Sequence, residues 1–466
     1  MGPLPTRSAG PVGWKSGRVP DSSLDAVVVG AGIAGLTAAR DLAEAGLSVL
    51  VLESSPDVGG KLRLATVAGV EIDVGAESML ARRPEAVGLA AQLGVDLVHP
   101  ASGSAQLWTR GSLRPLPRTL LGVPLDPSGL AASGVLSEEG LDRATHETVL
   151  PLGDVDVSVA ELLGSRLGPE VVDRLAEPLL AGVYAGHAAN LSAHAAIPQV
   201  VALLREHGSL LAAAAAVPPA ADAPVFAGVE GGVGLLPRRL AAGLDVRTSA
   251  PVRELARTST GFRLTVGSTR TPEVLETGRV VLATPAAPTS RLLRDVVPEG
   301  ARELAAVEYA SMAIVTLAVP ALEVGDSSGF LVPSVDGRRI KAATYSFSKW
   351  EWVGAASDLR LLRASIGRHR EEASLHAPDD ELVARVVADL ALATGQEIRP
   401  VEAHVQRWGG ALPQYAVGHL DRVARIRLAV EAVPGLALCG AAYDGVGIPA
   451  VIGSARRAAA SLLAAE

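Results

Sequence analysis

The stretch "VVVGAGIAGLTAARDLAEAGLSVLVLE", residues 27–53, constrains the fold of this chain more than any other. A short β-branched run, residues 25–29, reads as a strand buried on both faces. A glycine cluster follows at once: Gly30, Ala31, Gly32, Ile33, Ala34 and Gly35. Residues 36–45 then read as a helix stopped by Gly46, and residues 48–52 as a second strand with Glu53 at its end. The spacing gives each glycine a task. Gly30 permits the tight turn, Gly32 lets backbone approach a pyrophosphate, and Gly35 lets helix and strand pack closely. The helix start offers free N–H groups to phosphates. Glu53 can accept a ribose hydroxyl and would repel a 2′-phosphate, which argues against NADP.

The next segment separates NAD from FAD. Gly59 and Gly60 follow Glu53, Ser54 and a short loop, where an NAD domain would pass straight into its next helix. Flexible backbone there suits a longer dinucleotide. Gly75, Ala76, Glu77 and Ser78 form a further small-residue turn that could lie against an isoalloxazine ring.

Composition narrows the class. The 42 basic residues are outnumbered by 50 acidic ones, for a net charge of −8, which argues against a nucleic-acid partner. Lys15, Lys61, Lys341 and Lys349 are the lysines, and every other basic residue is Arg, as in GC-rich coding. A single cysteine, Cys439, rules out an internal disulfide and a thiolate metal cluster and points to a reducing, cytoplasmic compartment. Residues 1–24 carry no apolar h-region and read as a disordered leader. With 466 residues, two or three domains are expected.

The chain resembles the FAD-dependent amine-oxidase superfamily, and within it the oxygen-dependent coproporphyrinogen III and protoporphyrinogen IX oxidases. The superfamily pattern is the 30–35 cluster, Glu53, Gly59 with Gly60, and the 75–78 turn. More specific are "EPLLAGVYAG" (177–186), "WGGALPQYAVGH" (408–419) and "LALCGAAYDGVGIPAVIGSARRAA" (436–459). The resemblance implies that Ser54 and Gly60 join the cofactor site and that Lys61 lies near the flavin phosphates. It also implies that Val252 meets the adenine through its backbone and that Trp408 walls the cofactor. Val446, Gly447 and Ile448 should approach the pyrimidine end, where a helix start stabilises an anionic reduced flavin. Monoamine oxidases attach FAD through a cysteine in the segment matching "LPQY"; here Gln414 and Tyr415 stand there, so non-covalent FAD is implied.

The resemblance also implies an α/β fold, with a Rossmann-type FAD-binding domain interleaved with a mixed-sheet substrate domain and a helical domain. The FAD-binding parts fall at residues 25–105, 225–300 and 395–466, the helical, membrane-binding-like part at 110–220 and the substrate part at 301–394. Helices are expected at Val159–Leu167, 170–181, 197–217 and Asp379–Thr394, whereas the Pro-punctuated 115–127 cannot be one helix. The implied reaction takes coproporphyrinogen III to coproporphyrin III, removing six electrons in three two-electron steps. A meso carbon gives a hydride to flavin N5, an N–H proton leaves, and O2 takes up the electrons as H2O2. No Ser/His/Asp set, His-rich metal motif or P-loop appears, so no catalytic acid or base and no metal site is assigned; the pyrrole nitrogens themselves push electrons into the breaking C–H bond. His187, His194, His404 and His419 read as surface or structural residues. Peripheral membrane contact and hand-over of product to ferrochelatase or another haem-pathway enzyme are further implications. Protoporphyrinogen IX oxidation, an amine oxidase or desaturase, and a non-catalytic FAD-binding protein stand as alternatives.

Overall fold

The computed structural model describes residues 24–102, 104–218 and 224–464; the predicted leader, apart from Leu24, lies outside them. A five-stranded parallel sheet runs in the order Asp245–Arg247, Val49–Leu52, Ala26–Val29, Arg279–Leu282, Leu436–Leu438. Two of its three inner strands, Val49–Leu52 and Ala26–Val29, are apolar and wholly buried. Alternation sends Ala26, Val28, Val49 and Val51 to one face and Val27, Val29, Leu50 and Leu52 to the other. The first face is covered by helices Ile33–Glu44 and Ile448–Leu463, which share one apolar cluster. The second face rests on a three-stranded antiparallel sheet of Val252–Arg257, Phe262–Gly267 and Pro272–Thr277. Each fully buried Val or Leu here contributes roughly 2 kcal/mol of transfer free energy.

A second sheet has seven strands in the order Glu402–Pro413, Tyr309–Val319, Arg360–Ile366, Ile340–Thr344, Ser327–Leu331, Ser104–Thr109, Ser112–Pro115. All neighbours pair antiparallel except Ser327–Leu331 with Ser104–Thr109. The sheet therefore reaches outside residues 301–394 at both edges. Tyr309–Val319, eleven residues long, finds its outer partner in Glu402–Pro413, which satisfies a backbone that would otherwise be an open edge. Helix Asp379–Thr394 covers one face through Leu382, Val386 and Leu390.

Between Pro127 and Ala216 the chain is mainly helical and packs as its own apolar cluster. Val159–Leu167 stands as expected, with Ser158 Oγ capping Glu161 N at 3.1 Å. Three helices differ from expectation. The 197–217 span breaks at Gly208, φ +72°, into Pro198–His207 and Leu210–Ala216, and Ser209 caps the second. The 170–181 helix runs on to Tyr184 and contains a wider turn at Val172–Ala176 just before Pro178. Pro178 lacks an N–H, and the ladder re-registers ahead of it. The first helix starts at Ile33, three residues before the expected 36, so the last glycine of the cluster is already helical.

Candidate cofactor site

The sheet's carboxyl-terminal edge is built from glycine loops. Gly30 has φ +107°, a conformation costly for any side chain. A Cβ on Gly35 would sit 1.8 Å from the Gly30 carbonyl oxygen, so helix and loop touch directly. Gly32 is different. A Cβ there would meet nothing within 4 Å, so the protein's own packing does not demand glycine at this position. Gly32 is the N-cap of a twelve-residue helix with no side-chain cap and no acid in its first turn. Its first amides have no hydrogen-bond partner among the described residues, an arrangement that an anion would satisfy. Glu53 is fixed beside them: Ala31 N donates to Oε2 at 2.7 Å and Ser55 N to Oε1 at 2.8 Å, with the Ser54 hydroxyl 3.3 Å from Oε1. Arg247 O accepts from Glu53 N, and Ala250 N donates to Glu53 O, so the chain leading into Val252 runs alongside.

The second glycine pair is stitched to the first. Gly59 N donates to Ala31 O at 2.8 Å, and a Cβ on Gly60 would lie 3.3 Å from Gly32 Cα. The Lys61 carbonyl accepts from Ala76 N at 3.2 Å. A Cβ on Gly75 would fall 1.9 Å from that carbonyl and 3.2 Å from the Trp408 ring. Trp408 in turn donates its indole N–H to Val74 O at 2.9 Å, and Arg63 lies 5.8 Å over its ring. The Lys61 amine has no partner among the described residues, and burial pulls it down to about 8.

Glu77 anchors the 75–78 turn. Its carboxylate meets Lys349 Nζ at 2.5 Å and Arg363 Nη1 at 3.1 Å, while Arg363 Nη2 donates to Gly75 O at 2.8 Å. Burial pushes this carboxyl upward, but the two cations outweigh it and hold it at about 2. At the far side of the parallel sheet, Gly447 caps the sixteen-residue helix Ile448–Leu463, again with no side-chain cap and no acid in the first turn. Val446 packs against the helical layer, and Ile448 shares a buried cluster with Ile33.

The structure thus joins the 30–35 loop, Glu53, Ser54, Gly60, Lys61, the 75–78 turn and Trp408 through direct contacts, with Val252 beside Glu53. Residues 446–448 form a second uncapped helix start on the same sheet edge. This set fits a dinucleotide: open amides and an unpartnered amine for phosphates, a carboxylate for ribose, and an indole wall for a flat ring. Sequence reasoning missed Lys349 and Arg363, which lie 272 and 286 residues from Glu77. One signal was available. In a chain that writes nearly every cation as Arg, the three described lysines are Lys61, Lys341 and Lys349. The first and last belong to this site, and Lys341 lies fully buried, 3.7 Å from the Sδ of Met312, the strand partner of Trp408. His419 is no surface residue: it is fully buried and stacked on Tyr415 at 3.9 Å. Cys439 is buried, and burial pushes its thiol up to about 12.

Comparison with known proteins follows the same lines. The pattern of the family described as "Flavin containing amine oxidoreductase" matches residues 33–463. The chain is 36% identical over 450 residues to the coproporphyrinogen III oxidase of Mycobacterium tuberculosis, spanning 94% of this chain and 97% of that protein. It is 29% identical to the protoporphyrinogen oxidase of Macaca fascicularis, over 94% and 98% of the two chains. A crystal structure from Exiguobacterium superposes with TM-score 0.85 at 31% identity, covering 96% of this chain and all of that one. Putrescine oxidase, at 20% identity and TM-score 0.71, shares the fold.

Proposed function

Because the chain belongs to the flavin-containing amine oxidoreductase family and is an FAD-dependent oxidoreductase, we propose that it oxidises coproporphyrinogen III to coproporphyrin III. In this reading FAD is held without a covalent bond, O2 takes up six electrons in three steps as H2O2, and the product passes to ferrochelatase or another haem-pathway enzyme. The observation that carries it is the 36% identity to a coproporphyrinogen III oxidase over nearly the full length of both chains. Bound FAD supplies the two-electron acceptor. The chain's own residues supply everything else. The amides at 32–35 and the Lys61 amine hold the pyrophosphate, Glu53 and Ser54 the ribose, and the Val252 backbone the adenine. The 75–78 turn, locked by Lys349 and Arg363, and Trp408 fix the plane of the ring. Residues 446–448 bring a helix start to its pyrimidine edge.

No side chain is assigned as acid or base. The porphyrinogen nitrogens supply the electron push, and positioning in a water-excluded site supplies the rest. Among the described residues no helix is long and apolar enough to cross a membrane, and contact with a bilayer, where it occurs, is peripheral in this proposal.

Protoporphyrinogen IX oxidation is the second reading, supported by the likeness to the macaque enzyme. The two substrates differ by two propionates against two vinyls. Initial rates on both porphyrinogens, read by porphyrin fluorescence with the FAD-loaded protein, separate the readings. At least a tenfold preference for coproporphyrinogen III is expected; a preference for protoporphyrinogen IX overturns the choice. Acid precipitation should leave yellow flavin in the supernatant.

A further inference from the structure

The loop between strand Leu436–Leu438 and helix Ile448–Leu463 leads into residues 446–448; Ala442 and Tyr443 anchor its middle in the core, and Gly440 N donates to Ser454 Oγ at 3.2 Å. Gly440 and Gly445 have φ of +129° and +131°, and the half-buried Asp444 is tied to Arg427 and Arg457. From inside, one side chain meets the loop at both ends. The Tyr415 hydroxyl donates to Ala441 O at 2.7 Å and accepts from Gly445 N at 2.8 Å. A phenol oxygen that donates once and accepts once staples the two backbone positions four residues apart.

Tyr415 is itself held on every side. It is 1% exposed, its ring stacks on His419 with an interplanar angle of 14°, and Tyr184 packs against it at 5.4 Å. Its carbonyl accepts from Ser192 N at 2.7 Å, and Ala416 bridges to Leu191, which ties it to the helical layer. Burial pushes the phenol above its ordinary range, so the proton needed for the bond to Ala441 stays in place. Burial holds His419 down at about 4, so the stacked imidazole is neutral.

We infer that Tyr415 is a positioning residue: its hydroxyl sets the 441–447 loop, and through it the start of helix Ile448–Leu463, against the pyrimidine edge of the flavin. The inference rests on the flavin placement proposed above. Its consequence is electrostatic. A helix start aimed at the ring's N1–C2 carbonyl stabilises negative charge there, and the effect falls off within a turn. A loop that relaxes by a few tenths of an ångström therefore changes how readily the flavin becomes anionic, while the adenosine diphosphate half stays in the 30–35 loop.

The test compares FAD-loaded wild type, Tyr415→Phe and Tyr184→Phe. Sulfite is the probe, because it adds to flavin and leaves the ring anionic. Tyr415→Phe should keep stoichiometric FAD, bind sulfite at least tenfold more weakly and show a shifted flavin absorption band. Tyr184→Phe, whose hydroxyl makes no hydrogen bond among the described residues, should match wild type in both. Unchanged sulfite affinity and spectrum in Tyr415→Phe overturn the inference. Should that variant purify without flavin, titration of its apoprotein decides: weakened FAD binding with wild-type ADP binding supports the inference, and loss of ADP binding overturns it. None of these readouts uses a porphyrinogen. A wild-type chain that takes FAD but turns over neither porphyrinogen removes the proposed reaction and leaves this inference standing.

Discussion

In the parallel sheet, the inner strands Ala26–Val29 and Val49–Leu52 are buried and without a polar side chain, and the polar groups gathered at the sheet's edge are backbone amides. The seven-stranded sheet instead buries Lys341, Arg363 and Thr316 within its strands, with Arg368 and His369 just beyond Arg360–Ile366. The difference concerns what each region can tolerate. Where backbone carries function, a single Cβ is the relevant perturbation. Where buried charges do, the relevant perturbation is a missing partner. Glu77 and Lys341 show the two outcomes: the carboxylate has two cations, whereas the amine, among the described residues, has the Gly367 carbonyl at 3.0 Å and the sulfur of Met312.

The largest effect is expected at Gly35. Gly35→Ala places a Cβ against the Gly30 carbonyl and should cost on the order of 4 kcal/mol in apoprotein stability, measured by denaturant unfolding. Gly32→Ala, with empty space around the added carbon, should change apoprotein stability by less than about 1 kcal/mol. Its FAD affinity should nevertheless fall at least tenfold by fluorescence titration. Equal stability losses in the two variants would break the contrast between a glycine required by packing and one required by a ligand.

Glu77→Gln leaves Lys349 and Arg363 buried without their anion and should cost about 3–5 kcal/mol. The pH dependence follows from the depressed carboxyl. Its contribution is complete above the ordinary value of 4.5 and is lost as pH falls towards about 2. Wild-type stability should therefore drop across that window, and the Gln variant should show a flatter profile in urea titrations at each pH.

Lys341→Met should act in the opposite direction and more weakly. Burial pulls this amine from 10.5 to about 7, so between those values the unfolded chain binds the extra proton. Wild-type stability accordingly rises with pH across that range. Removing the amine should stabilise the protein at pH 7 by on the order of 2 kcal/mol and flatten the rise. A destabilised Met variant with an unchanged slope would show that this lysine is held by something other than burial alone.

The two regions also differ in how far they could be read beforehand. The glycine cluster, Glu53 and the following helix lie within 27 residues, and their arrangement follows from local backbone geometry. The break at Gly208 was also written in the sequence, in a glycine followed by a capping serine, but the apolar periodicity on either side masked it. The clamp on Glu77 had no local sign. Nothing near residues 75–78 distinguishes a plain turn from one locked by Lys349 and Arg363, because those partners arrive only when the seven-stranded sheet pairs. Likewise "LPQY" shows that no cysteine stands at that point, but not that the Tyr415 hydroxyl spans the loop from Ala441 to Gly445.

The sequence alone determined what short-range sterics and alternation can encode: a buried strand, a glycine loop running into a helix, and a second strand ending in a carboxylate. Tertiary structure alone decided which charges share the interior and which side chain holds which loop. Such pairings depend on contacts between segments hundreds of residues apart, and their energies arise only once water has been excluded from around them.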